Sequence, residues 1–144
     1  RLEDQMRRRE TNAGLLDQLI GQLEGIVLLK RDPLVTRHAH HLYMFKLDPV
    51  FARRIGKDAF IRRVTEEGVP ILPGYIPLNR NSAIRESIRE WIGQDVLDPC
   101  PVCERLCGNE VLWLTQSTLL SDEKTIRFVA HTLRKVIGEF GGAA

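Results

Sequence analysis

At 144 residues the chain is long enough for one domain with a real core and too short for two ordinary ones. Its 43% hydrophobic and 28% charged residues are the make-up of a soluble globular protein and exclude a disordered tail. Twenty-one basic residues against nineteen acidic ones leave a formal charge of +2, too near balance to imply nucleic acid.

Residues 1–24 place Leu2, Met6, Ala13, Leu16, Ile20 and Leu23 on one helical face, with Gly25 as the stop. Arg9 interrupts that stripe. Gly14 and Gly21 lie seven apart, which suggests close approach of another element. Such a terminal helix suits a connector to a further domain, and a chain that starts at Arg1 inside a helical pattern is expected to have something upstream. A short strand follows at Ile26–Leu29, then a polar loop. Ala39–Leu47 alternates Tyr43, Phe45 and Leu47 against Leu42, Met44 and Lys46, the pattern of a strand that Asp48-Pro49 ends.

Residues 57–67 form a helix with Phe60, Ile61 and Val64 inward, closed by Gly68. Val69–Leu72 is a brief strand whose Pro70 fits an edge or a bulge. After the turn-rich loop Pro73-Gly74-Tyr75-Ile76-Pro77, Ile84, Ile88, Trp91 and Ile92 define a helix that Asn81 or Ser82 could cap. Pro101 opens a short helix through Leu106. Val111–Thr115 reads as a central strand, apolar on both faces. Ser121-Asp122-Glu123 starts a last helix with Ile126, Val129, Ala130, Leu133, Val136 and Ile137 inward, and Gly138–Ala144 frays.

Three separated strands with helices between them imply an α/β or α+β fold: a small three-stranded sheet with helices packed on it, residues 1–144 forming one domain. So small a sheet leaves the first helix needing another partner, with an exposed seam along Leu2, Met6, Ala13 and Leu16 as the expectation. No apolar run approaches the roughly 18 residues of a membrane span, and no signal-peptide pattern opens the chain. Three crowded cysteines fit a reducing cytoplasm better than a disulfide framework.

Cys100-x2-Cys103-x3-Cys107 has the chemistry of a thiolate metal site but lacks a fourth ligand nearby, so free thiols are the expectation and no metal is assigned. His38 and His40 would share a strand face and could converge on a ligand, or simply form a polar edge. Arg7-Arg8-Arg9, Arg53-Arg54 and Arg62-Arg63 fit solvated or ion-paired faces, with Glu3, Asp4, Glu10, Glu66 and Glu67 as partners. The loop Gly74-Tyr75-Ile76-Pro77-Leu78-Asn79-Arg80 is different in kind. It presents a phenol, an amide and a guanidinium between two prolines, a rigid set of donors and acceptors suited to a polyhydroxylated ligand. No GxSxG, Walker or dinucleotide-binding motif is present.

An ordered set of segments carries a resemblance: Arg7-Arg8-Arg9-Glu10-Thr11-Asn12-Ala13, His41-Leu42-Tyr43-Met44-Phe45, Phe60 through Glu66-Glu67-Gly68-Val69-Pro70, Gly74-Tyr75-Ile76-Pro77-Leu78-Asn79, and Cys100-Pro101-Val102-Cys103-Glu104-Arg105-Leu106-Cys107 before Leu112-Trp113-Leu114. In order and spacing these resemble the C-terminal third of the DegT/DnrJ/EryC1/StrS family of aminotransferases, over nearly the whole chain. The resemblance implies the small domain of a fold-type I, pyridoxal-phosphate-dependent enzyme that works as a homodimer in the cytoplasm. Such an enzyme moves an amino group from glutamate or glutamine to a keto-sugar or an inosose; the loop is closer to the cyclitol branch.

The same resemblance implies that the Schiff-base lysine lies in an N-terminal large domain, so no catalytic residue is assigned among Lys30, Lys46, Lys57, Lys124 and Lys135, and this chain alone is inactive. Tyr75 and Asn79 are its substrate-contact candidates, with Arg80 and His41 behind them. Where many family members carry histidines before the loop tyrosine and after Pro-Leu, this chain has Gly74 and Asn79. A stand-alone, non-enzymatic binding or regulatory module of the same fold is the alternative.

Overall fold

The described chain runs α1 (Leu2–Ile20), β1 (Ile26–Leu28), β2 (Leu42–Leu47), α2 (Pro49–Ile55), α3 (Lys57–Glu66), a 3-10 turn (Leu78–Arg80), α4 (Ser82–Ile92), α5 (Pro101–Arg105), a π-helical turn (Leu106–Glu110), β3 (Val111–Thr115), α6 (Gln116–Leu119) and α7 (Glu123–Gly141). The structure is a computed structural model and describes residues 1–94 and 98–141. Both strand pairings of the three-stranded sheet are antiparallel in the order β1-β2-β3, which makes the fold the α+β form of the expected class. Leu47 faces Ile26, and Tyr43 and Phe45 face Leu114 and Leu112. These residues share one side of the sheet, so the period-2 alternation read from β2 becomes the inner wall of the core.

α7 supplies the opposite wall. Its six inward residues, Ile126, Val129, Ala130, Leu133, Val136 and Ile137, are all buried, as their spacing predicts. Asp122 accepts hydrogen bonds from Thr125 N at 2.9 Å and Thr125 Oγ1 at 2.7 Å, satisfying one orphan amide at the helix start. The helix continues through Gly141 instead of fraying at Gly138, because Phe140 still packs on the core; residues 142–144 lie outside those described.

The exposed seam expected along α1 is absent. Ala13 and Leu16 are 1% and 0% exposed, Met6 is half-buried, and only Leu2 stands in solvent. α6 and α7 cover this face, and polar side chains extend it. Asn12 Nδ2 donates to the carbonyls of Leu119 and Ser121 at 2.8 and 3.0 Å. Arg9, expected on a solvated run, is buried instead, donating to Gln116 Oε1 at 2.8 Å. Among the described residues, the apolar face left uncovered belongs to α4. Asn81, one of the two expected caps, bonds Ala83 N and Ile84 N, and Gly93 takes the left-handed end, but none of the helix's residues is buried and Trp91 is 90% exposed.

Other differences have local causes. α1 stops at Ile20, where Gly21 lets Leu28 come close, while Gly25 turns the chain at φ +89°. Gly14 has no neighbour within 4 Å of where a Cβ would stand, so close approach does not explain it. Residues 39–41 precede the strand, with His40 at φ +45°. Asp48-Pro49 ends β2 and also starts α2, since Asp48 Oδ1 accepts from Val50 N at 2.8 Å and proline suits the first helical position. Val69–Leu72 forms no strand; Leu72 alone bridges to Trp113. β2 is therefore the central strand, and β3, although apolar on both faces, has that single bridge on its outer side.

Candidate functional site

Trp113 and Gly74 set the local geometry of the loop. Trp113 points to the side of the sheet away from the main core, yet is only 7% exposed, because segment 72–75 crosses it. Gly74 turns the chain at φ +90°, and a Cβ there would stand 3.7 Å from the indole. The Tyr75 ring then lies edge-on to Trp113 with centroids 4.5 Å apart, while 69% of the residue stays exposed. Among the described residues nothing bonds the Tyr75 hydroxyl.

This loop forms one wall of a cleft of ≈ 330 Å³, and Glu104, Cys107 and Gly108 form the other wall, facing Tyr75, Pro77 and Arg80. Glu104 joins the walls. Its Oε1 accepts from Asn79 Nδ2 at 2.6 Å and from Cys100 N at 3.0 Å, and its Oε2 accepts from Arg80 Nη2 at 2.6 Å. The Arg80 and Asn79 hydrogen bonds, then that of the Cys100 amide, pull the Glu104 carboxyl down to about 2.

A depressed carboxyl contributes its stabilisation above the ordinary value and loses it as pH falls through the folded value. The Glu104 clasp is therefore expected to persist through mild acid and open near pH 2. The Asn79 side-chain amide resonance should titrate with a midpoint near 2; a midpoint near the ordinary 4.5 would show that the clasp does not form. Glu104→Gln would turn an amide donor toward a donor and release Arg80.

The predicted site residues thus divide. Tyr75 and Arg80 line one cleft, and Asn79 stands beside it, bonded to Glu104. His41 is exposed at the entry to β2 and does not line this cleft. Glu104, Trp113 and Lys57 were not singled out from the sequence. The signal for Lys57 was its place as the first residue of a helix, where a cation opposes the helix dipole. Its Nζ is buried and donates to Pro73 O at 2.7 Å and to Cys107 O.

The remaining lysines stand elsewhere: Lys46 is 3.6 Å from Glu110, Lys135 is 2.7 Å from Glu67, and Lys30 and Lys124 are exposed. The thiols of Cys103 and Cys107 lie 3.9 Å apart and Cys100 faces the Asp98 carbonyl; all three are free. Among the described residues no group of three or more His, Cys, Asp or Glu could hold a metal ion.

His38 and His40 do come together, through a loop instead of a strand. Their ring centroids are 4.2 Å apart, and His40 N donates to His38 Nδ1 at 3.0 Å. They line a second cleft of ≈ 350 Å³ with Glu10, Asp17, Arg31 and Tyr43. Burial, then the neighbouring His38, lowers the His40 pKa. Burial and the 2.6 Å bond to Asp17 hold the Tyr43 phenol far above its ordinary value, so it stays protonated.

Comparison with known proteins places this geometry in context. The chain is 24% identical over 138 residues to 3-amino-5-hydroxybenzoate synthase of Amycolatopsis mediterranei (strain S699), covering 95% of this chain and 35% of that protein. It is 29% identical over 142 residues to L-glutamine:2-deoxy-scyllo-inosose aminotransferase of Micromonospora echinospora, covering 94% and 33%. The chain therefore spans about a third of the length of these relatives. The crystal structure of 3-amino-5-hydroxybenzoic acid synthase superposes with a TM-score of 0.77 at 22% identity, over 96% of this chain and 36% of that one. An aminotransferase from Streptoalloteichus hindustanus gives 0.72 at 20% identity, over 95% and 33%. Both have the same fold over the matched region. The family model for DegT/DnrJ/EryC1/StrS aminotransferases matches residues 1–134, and the chain belongs to that family.

Proposed function

We propose that this chain is the C-terminal small domain of a pyridoxal-phosphate-dependent aminotransferase that moves an amino group from glutamate or glutamine to a keto-sugar or an inosose. The observation that carries the reading is the Tyr75–Arg80 cleft in a chain that spans about a third of each aminotransferase it resembles. A free phenol, the unshared donors of Arg80 and a fixed carboxylate suit an acceptor rich in hydroxyls. Tyr75 contacts that acceptor directly. Asn79 acts through Glu104, holding it against Arg80.

The described residues do not by themselves fit pyridoxal phosphate. No lysine lines the cleft beside Tyr75, and three of the five lysines are engaged by carbonyls or carboxylates. The cofactor and its lysine belong to an N-terminal large domain, and this domain forms a wall that positions the acceptor and excludes water. Exposed Ile76, Leu78, Trp91, Ile92 and Val102 support a surface for that domain or for a second copy in a homodimer. Free, exposed thiols support a cytoplasmic setting. Among the described residues no helix is long and apolar enough to cross a membrane.

The test begins with the coding sequence upstream of Arg1 and the protein it specifies. That protein, supplied with pyridoxal phosphate and glutamine, is expected to aminate scyllo-inosose or a keto-sugar, detected by mass spectrometry. Tyr75→Phe should raise KM for the ketone and leave the half-reaction with the amino donor unchanged. An upstream frame without a lysine-bearing domain, or a complete protein that transfers no amine, would overturn the reading.

A further inference from the structure

Lys57 is placed where a lysine is costly. It is the first residue of α3, so its ammonium sits at the positive end of the helix, and it is only 7% exposed. Among the described residues no carboxylate comes within 4.0 Å of it. Burial lowers its pKa, and the neighbouring Asp58 charge offsets this only in part. Packing does not require it there, since Phe60 and Val64 anchor α3 to the core. Two carbonyls receive the ammonium instead: that of Pro73, one residue before Gly74-Tyr75, and that of Cys107, in the π-helical turn. Cys107 lines one wall of the Tyr75–Arg80 cleft, and Pro73 lies two residues before Tyr75 in the loop that forms the other.

We propose that Lys57 is a positioning residue which fixes the width of this cleft by pinning the backbone of both walls to the start of α3. Glu104 ties the same walls through side chains at the Asn79–Arg80 end; Lys57 ties them through main chain at the Gly74 end, where Tyr75 is set against Trp113. The ammonium touches no substrate. Its effect reaches the acceptor through Tyr75, and this inference rests on the aminotransferase reading above.

Lys57→Met keeps the aliphatic stem and removes the pin. In the complete protein, hydrogen–deuterium exchange followed by mass spectrometry should show amides of 74–80 and 104–110 exchanging about tenfold faster, with α1 and α7 peptides unchanged. KM for the keto acceptor should rise about tenfold, with kcat and the amino-donor half-reaction within about twofold of wild type. Faster exchange in α7 as well, or failure of the variant to fold, would overturn the proposal, because Lys57 would then be supporting the whole core. So would unchanged exchange in both walls. If the wild-type protein transfers no amine, the functional reading fails, while the exchange result still decides whether Lys57 pins the walls.

Discussion

Phe60→Ala is expected to destabilise the protein by about 3–5 kcal/mol. Phe60 is fully buried and meets Phe51 edge-on, ring centroids 6.3 Å apart at 81°. It anchors the middle of α3 in the cluster that holds Leu112 and Leu114 of β3 and the buried face of α7. Truncation would leave a cavity in a close-packed interior that collapses only in part. Against a typical total of about 5–15 kcal/mol, this single change removes a large share of the stability. Urea unfolding should show a lower midpoint with an unchanged slope. A loss below about 1 kcal/mol would mean that α3 is not anchored as described. Because α3 begins at Lys57, the same variant should also loosen the cleft.

Gly25→Ala is expected to cost about 2–4 kcal/mol, from two effects of the same sign. At φ +89° an L-residue is strained, and a Cβ there would stand 2.9–3.0 Å from the Phe51 ring. The ring cannot yield easily, since Phe51 is itself buried against Phe60. The turn is also pinned by Asp48 N donating to Gly25 O at 2.8 Å. Thermal unfolding would register the loss as a lowered Tm. Gly25→Asn separates the two effects: asparagine tolerates left-handed backbone better but meets the same ring, so it should recover only part of the loss. Full recovery would show that crowding by Phe51 is unimportant.

What could be seen in the sequence follows the distance over which each feature is determined. α7 was legible because its six inward residues repeat every three or four positions, and β2 because Tyr43, Phe45 and Leu47 alternate. α2 was missed because Asp48-Pro49 serves both as a strand end and as a helix cap, and only the end was recognised. The pairing of β3 with Leu72 and the cover on α1 depend on partners far along the chain, which periodicity cannot report. The loop around Tyr75 stood out through its prolines and glycine. Glu104 and Lys57 did not, since their roles come from contacts 25 and 50 residues away.

The order of the strands has a consequence for how the molecule assembles. β2 and β3 are separated by nearly half the chain, and the hydrogen bonds that tie α1 to the region of α6 span more than a hundred residues. Bringing such distant segments together costs loop entropy before any buried area offsets it, so β1 and β2 can pair as neighbours in the chain but β3 joins them only late. Helices such as α7 are left to form early and wait, and the wall that bears Tyr75 is completed only when the two halves of the polypeptide meet.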